Sequence, residues 1–162
     1  MFEYRIATPE DLEALWEMNI RDNPDDPNWI RWRDEYIGYN RAGRALTFAI
    51  VHNGTPVGEG TLLLDPTVKA VSGRLALADG KTVTNVNALR IRKEFEGQGH
   101  ISRLMRMMED YARKQGFSCI TIGVEAAETR NLAIYLHWGY DRLICHEIDE
   151  GELVLYYQKS LI

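Results

Sequence analysis

The sequence predicts a mixed α/β (α+β) fold with a mostly antiparallel central sheet and helices on both faces. Three observations predict it. Seven strand-like runs share the chain with four helix-like ones, several joined by tight turns such as Asn53-Gly54 and Asp149-Glu150-Gly151. Residues 100–115 carry apolar side chains at spacings of three and four, the period of an amphipathic helix. That helix stands between two buried-type strands, which places those strands in parallel through a crossover.

Phe2 to Ile6 alternates with period two and reads as the first strand. Thr8-Pro9-Glu10-Asp11 starts a helix: Thr8 suits the N-cap, Pro9 the first helical position, and Asp11 a loosely closed capping box. Leu12, Leu15, Trp16 and Ile20 point inward from it. The prolines and turn formers of Asn23 to Asn28 stop it. A second helix, from about Trp29 to Asn40, bears Trp29, Trp32, Tyr36 and Tyr39, a stripe that reads first as core packing. Beside Asp25, Asp26, Asp34 and Glu35 the same aromatics could line a pocket for an amine.

Ala45 to Val51 and Val57 to Leu64 form a hairpin about Asn53-Gly54. Gly58-Glu59-Gly60 resembles the start of a dinucleotide fingerprint but lies inside a strand, so that reading is set aside. Residues 67–82 read as a short excursion, in the form of a hairpin around Arg74 to Leu77. A strand over Val83 to Ile91 then leads to a glycine turn and the crossover helix, where Asp110 with Lys114 and Glu109 with Arg113 are favourable pairs four apart. Ser118 to Val124 is a buried strand, Glu128 to about Trp138 a short helix, and Arg142 to Ile148 with Leu153 to Lys159 a closing hairpin.

The length of 162 residues fits one domain, and 45% hydrophobic with 27% charged residues is the composition of a soluble globular chain. No apolar run is long enough to span a bilayer, and the N-terminus lacks the pattern of a signal peptide. A cytoplasmic protein without membrane partners is the expectation. A net charge of −5 argues against a nucleic-acid footprint. Cys119 in an apolar run reads as core, and Cys145 beside His146 as an ordinary thiol; neither has metal-like spacing, so no metal is expected.

The chemistry concentrates at Phe95-Glu96-Gly97-Gln98-Gly99-His100-Ile101-Ser102. Two glycines let the backbone turn sharply and approach a ligand closely. The helix that follows offers free N–H groups and the positive end of its dipole, a setting for phosphate or another anion. Downstream, Arg130-Asn131-Leu132-Ala133-Ile134-Tyr135 stands on the short helix, and Gly139-Tyr140 opens the next strand.

These two segments, in this element order, resemble the GNAT superfamily of acetyl-CoA-dependent N-acetyltransferases. The family's strand triplet matches Leu89-Arg90-Ile91, and its Gly-x-Gly turn matches Glu96 through Ile101, with Glu96 where Arg or Gln is common and Ile101 where a small residue is common. The resemblance implies a single GNAT-like domain over residues 1–162. It implies acetyl-CoA as cosubstrate, with Leu89, Arg90 and Ile91 beside the pantetheine arm and Gly97, Gln98, Gly99, His100, Ile101 and Ser102 around the pyrophosphate. Asn131 covers part of the role of an Asn usually found at the helix start, where Glu128 stands. Tyr135 is the implied general acid, protonating the departing thiolate after an amine attacks the thioester. Relatives often carry a base near the strand triplet, where this chain has Asn87; Glu59, Glu125 or solvent is left for that part. The acceptor is an amine of a small molecule or peptide, and a homodimer is compatible with the resemblance. A non-catalytic acyl-CoA-binding or sensing module on the same fold is the alternative, motivated by Asn87 and Glu96.

Overall fold

The computed structural model describes residues 1–162. Its elements run β1 (Phe2–Ile6), α1 (Pro9–Asp22), α2 (Asn28–Arg41), β2 (Ala45–His52), β3 (Thr55–Leu63), β4 (Val83–Ile91), a 3-10 turn at Lys93–Phe95, α3 (His100–Lys114), β5 (Cys119–Glu125), α4 (Thr129–His137), β6 (Arg142–Asp149) and β7 (Glu152–Ser160). The seven strands form a mixed, mostly antiparallel sheet in the order β1-β2-β3-β4-β5-β7-β6. Two compact units share the chain: Met1–Leu62 with Ala88–Met108, and Leu63–Asn87 with Glu109–Ile162. The division inside β4 falls at Ala88, which holds a φ of 54°. A left-handed residue with a Cβ inside a strand marks a break in regular pleating.

In the first unit, β1 pairs antiparallel with β2, Tyr4 opposite Ile50. The capping box of α1 closes fully: Asp11 N–H donates to Thr8 Oγ1 at 3.1 Å, and Thr8 N–H donates to Asp11 Oδ2 at 3.0 Å. Asp11 does more than cap. Arg5 clasps it through Nε (3.0 Å) and Nη2 (2.9 Å), which ties the helix start to β1. Leu12, Leu15 and Trp16 are buried as expected, but Met18 and Asn19 join them while Ile20 is only half-buried. Of the α2 aromatics only Tyr36 is buried; Trp29, Trp32 and Tyr39 stay partly open.

The glycines of β3 have a packing cause. A Cβ on Gly58 would come within 3.0 Å of the Arg90 carbonyl oxygen and 2.9 Å of Ile50 Cδ1; one on Gly60 would meet Leu89 Cδ1 and Met108 Sδ, each at 2.9 Å. They let neighbouring strands and α3 approach, as glycine within a strand often does.

In the second unit, Val83–Val86 pair in parallel with Cys119–Ile122, the expected crossover pairing. β5 and β6 flank β7, both antiparallel to it. The excursion is not a hairpin: it is a run of turns that buries Val68, Val71, Leu77 and Ala78 and returns through Asp79, whose carboxylate accepts N–H bonds from Lys81, Thr82 and Val83. Short-range Asx chemistry, which strand alternation does not report, organises it. Two helix pairings also differ from expectation. Arg113 pairs with Asp110 at 3.0 Å, and Glu109 is buried, accepting from Tyr140 Oη at 2.7 Å and from Lys159 Nζ at 3.0 Å. The tertiary partners of Glu109 outcompete Arg113, which turns to exposed Asp110 on the same helix; exposed pairs of that kind contribute little. Cys119 is half-buried rather than core.

Candidate active site

Gly97 and Gly99 have φ of 74° and 86°, a region open to glycine and costly for other residues. A Cβ built on either would meet nothing within 4 Å, so the turn presents open backbone, and residues 96–99 are exposed. The Gly99 carbonyl accepts the Arg103 N–H at 3.1 Å, the first bond of α3. The N–H groups of His100, Ile101 and Ser102 therefore have no carbonyl one turn back within the helix. This donor set, at the positive end of a helix of 15 residues, fits a pyrophosphate.

Side chains from β1 and β2 hold the turn in place. The Phe2 ring lies between His52 (4.4 Å between centroids) and His100 (4.0 Å), with Phe95 edge-on at 5.4 Å. His100 is nearly buried; its Nδ1 lies 2.6 Å from Tyr4 Oη and its Nε2 3.1 Å from Gln98 Oε1. A neutral ring satisfies both: Tyr4 O–H donates to Nδ1, and Nε2–H donates to Gln98. Burial, then the charges of Arg103 and His52, hold the imidazole below its ordinary value, in keeping with that tautomer. His100 is thus a brace of the turn. Arg103 lies over the Tyr4 ring at 4.8 Å, Ser102 Oγ accepts from Arg106, and Arg92 pairs with Glu94.

Leu89, Arg90 and Ile91 follow on β4. Leu89 and Ile91 turn to the face occupied by Met108 and Ile50, as the contacts of Gly58 and Gly60 show. Arg90 turns to the other face, toward Trp16 and Trp29 of the helices, and lies 3.4 Å from Glu59. Glu59 is 1% exposed, and Asn19 Nδ2 donates to its Oε2 at 2.8 Å. In the sequence alone Glu59 is one alternative among bases, and Arg90 has no side-chain role. The period-two pattern of β3 and β4 could have put both on one face, but pairing across strands is not visible in a single sequence.

In the second unit, Tyr135 is half-buried on α4, its ring 5.8 Å from Trp138. Burial, with a smaller contribution from Glu128, raises its hydroxyl above the ordinary value, so it stays protonated. Asn131 is exposed and donates to Glu128 Oε2 at 2.8 Å. Glu125 is exposed at the end of β5. Burial raises both thiols, Cys119 and Cys145, the opposite of what a nucleophile needs. No group of three or more His, Cys, Asp or Glu side chains is placed to hold a metal ion. No helix is long and apolar enough to cross a membrane. A cleft of about 520 Å³ between α1 and α2 is lined by Glu13, Glu17, Arg33, Asp34 and Arg41; of the acidic residues suggested for an amine pocket it takes in only Asp34.

Residues 9–140 match the model of the acetyltransferase (GNAT) family. The fold is shared with the ribosomal-protein-S18-alanine N-acetyltransferase of Escherichia coli (TM-score 0.74, 15% identity, 99% of this chain and 94% of that one). It is shared too with yncA of Salmonella typhimurium, in a structure with its cofactor acetyl-CoA (0.72, 12%, 100% and 95%). The PaiA N-acetyltransferase of Thermoplasma acidophilum, in complex with coenzyme A, is a third (0.66, 15%, 99% and 99%). No curated protein matches the chain. With the family's model matched over both the glycine turn and the Tyr135 helix, the chain belongs to the GNAT family of acetyltransferases.

Proposed function

We propose that the protein is an N-acetyltransferase that moves an acetyl group from acetyl-CoA to an amine by direct attack, with both units read as parts of one GNAT-type domain. The observation that carries this reading is the open, donor-rich turn at Gly97 and Gly99 in a chain of this family. The backbone of Gly97 through Ser102 would hold the pyrophosphate, and the backbone of Leu89, Arg90 and Ile91 the pantetheine amides. Asn131 is assigned a supporting contact. Acetyl-CoA supplies the activated acyl group; every remaining task falls to this chain.

The acceptor amine must lose a proton as it attacks, and the departing sulfur must gain one. Tyr135, kept protonated by burial, is proposed to donate to that sulfur. Glu59 is proposed as the proton acceptor, because it is buried with one oxygen free, whereas Glu125 is exposed. The acceptor is read as a small molecule or peptide amine, the protein as cytoplasmic, and a homodimer as its assembly.

The experiment is coenzyme A binding by calorimetry in wild type and Gly99→Trp. An indole there would fill the open space and strain a residue at φ 86°. Loss of binding supports the placement of the pyrophosphate; unchanged binding overturns it. The sensing alternative draws on Glu96, an exposed carboxylate beside the turn. It expects coenzyme A binding with no amine-dependent release of thiol.

A further inference from the structure

Two arginine–carboxylate pairs in the first unit differ in one respect. Arg5 closes its side-on fork on Asp11, Nε to Oδ2 at 3.0 Å and Nη2 to Oδ1 at 2.9 Å. Arg90 has the same fork and a carboxylate beside it, yet the fork stays open. Its Nη2 lies 3.4 Å from Glu59 Oε2, an ion pair without hydrogen-bond geometry, and both Nε and Nη2 are buried with no hydrogen-bond partner. Glu59 Oε1 is likewise buried with no partner, although Oε2 is held by Asn19. Buried charged groups without hydrogen bonds are rare and costly, and such a cluster calls for an occupant.

The unmet groups define that occupant. Two parallel N–H donors at the edge of a guanidinium suit a carboxylate, bound bidentately. One free oxygen of a buried carboxylate suits a cationic donor. A lone carboxylic acid would satisfy Arg90 but add a second negative charge beside Glu59. A simple amine or polyamine would satisfy Glu59 and leave the fork empty. A group with ammonium and carboxylate on one carbon meets both demands at once. The guanidinium carbon lies 5.2 Å from the Trp16 ring and 4.9 Å from the Trp29 ring, so the cation rests against two aromatic rings that hold it in place. The Arg90 side chain is 31% exposed, so part of it is reached from solvent.

We propose that Glu59 and Arg90 bind the head group of a free α-amino acid, the ammonium on Glu59 Oε1 and the carboxylate on Nε and Nη2 of Arg90. The proposal rests on the acetyl-transfer reading only for the fate of the amine; the binding itself does not need it.

The test is calorimetric titration of the full chain with free L-amino acids. The tightest binder is then compared with its carboxamide and its decarboxylated amine. The free acid should bind at least about tenfold tighter than either relative, as expected when a buried fork loses its partner. In Arg90→Gln, with a wild-type-like cooperative thermal transition as the check on folding, that preference should vanish. The proposal is overturned if no amino acid binds, if the carboxamide or the amine binds as well as the acid, or if Arg90→Gln keeps the preference. The two readings fail separately. Amino-acid binding without thiol release from acetyl-CoA supports this site and contradicts acetyl transfer. Thiol release with other amines only, in the absence of amino-acid binding, overturns this site and leaves acetyl transfer standing.

Discussion

Glu59 and Glu109 are both buried carboxylates, 1% and 4% exposed, in different units of the chain. Their surroundings are opposite. Glu109 is saturated: Tyr140 Oη donates at 2.7 Å, and Lys159 Nζ reaches both oxygens at 3.1 and 3.0 Å. Burial, then the Glu109 charge, pushes the Tyr140 hydroxyl far above its ordinary value, so it remains a donor. Glu59 has one neutral donor, a guanidinium held at 3.4 Å and an oxygen with no partner. A fully paired buried charge stabilises the arrangement around it. A partly paired one is held ready for something else, at a cost in stability.

The largest effect that this contrast predicts is on stability. Glu109→Ala removes the carboxylate that Lys159 and the Tyr140 hydroxyl bond, and should lower the free energy of unfolding by about 3 kcal/mol or more in urea denaturation. Glu59→Gln keeps an oxygen for Asn19 and should cost no more than about 1 kcal/mol in the same measurement. It should instead lower kcat/KM for acetyl transfer by about 100-fold, as removal of a proton acceptor does. Equal stability losses in the two variants would erase the contrast.

Smaller effects sharpen it. The strands that carry Glu59 and Arg90 approach closely because of Gly58. Gly58→Ala sets a Cβ against the Arg90 backbone carbonyl and should destabilise by about 1–3 kcal/mol. At Gly60 the close atoms are the ends of Leu89 and Met108, which can shift, so Gly60→Ala should cost less by thermal melting. The smallest effect is on the pH dependence. His100 lies below the ordinary value of 6.5, so on acidification the unfolded chain takes up this proton first. Its contribution is complete above 6.5 and is lost as the pH falls through the folded value. His100→Gln should therefore lose less stability than wild type between about pH 7.5 and about pH 5.5. An unchanged difference would mean that the ring titrates freely.

Much of the fold was legible because it is written in local signals. Thr8 and Asp11 mark the start of α1, Asn53-Gly54 the hairpin, and the stripe from Leu104 to Ala112 the buried face of α3. The glycine turn was legible for the same reason, since positive φ at Gly97 and Gly99 leaves a trace in residue type. What escaped is what depends on partners remote in sequence. Tyr4 and Phe2 brace the turn from β1, across nearly the whole first unit of chain. Glu109 looks like an ordinary helix-surface acid until Tyr140 and Lys159 are brought to it. The strand triplet points to the backbone of Arg90, and only the folded chain shows its side chain beside Glu59.

Acetyl transfer to an amine is read most directly as release of free thiol from acetyl-CoA by the pure protein across a panel of amines that includes the free amino acids. Amine-dependent release is expected, accompanied by the N-acetylated amine and greatly reduced in Tyr135→Phe and Glu59→Gln. Coenzyme A binding with no amine-dependent release from any member of the panel would contradict it.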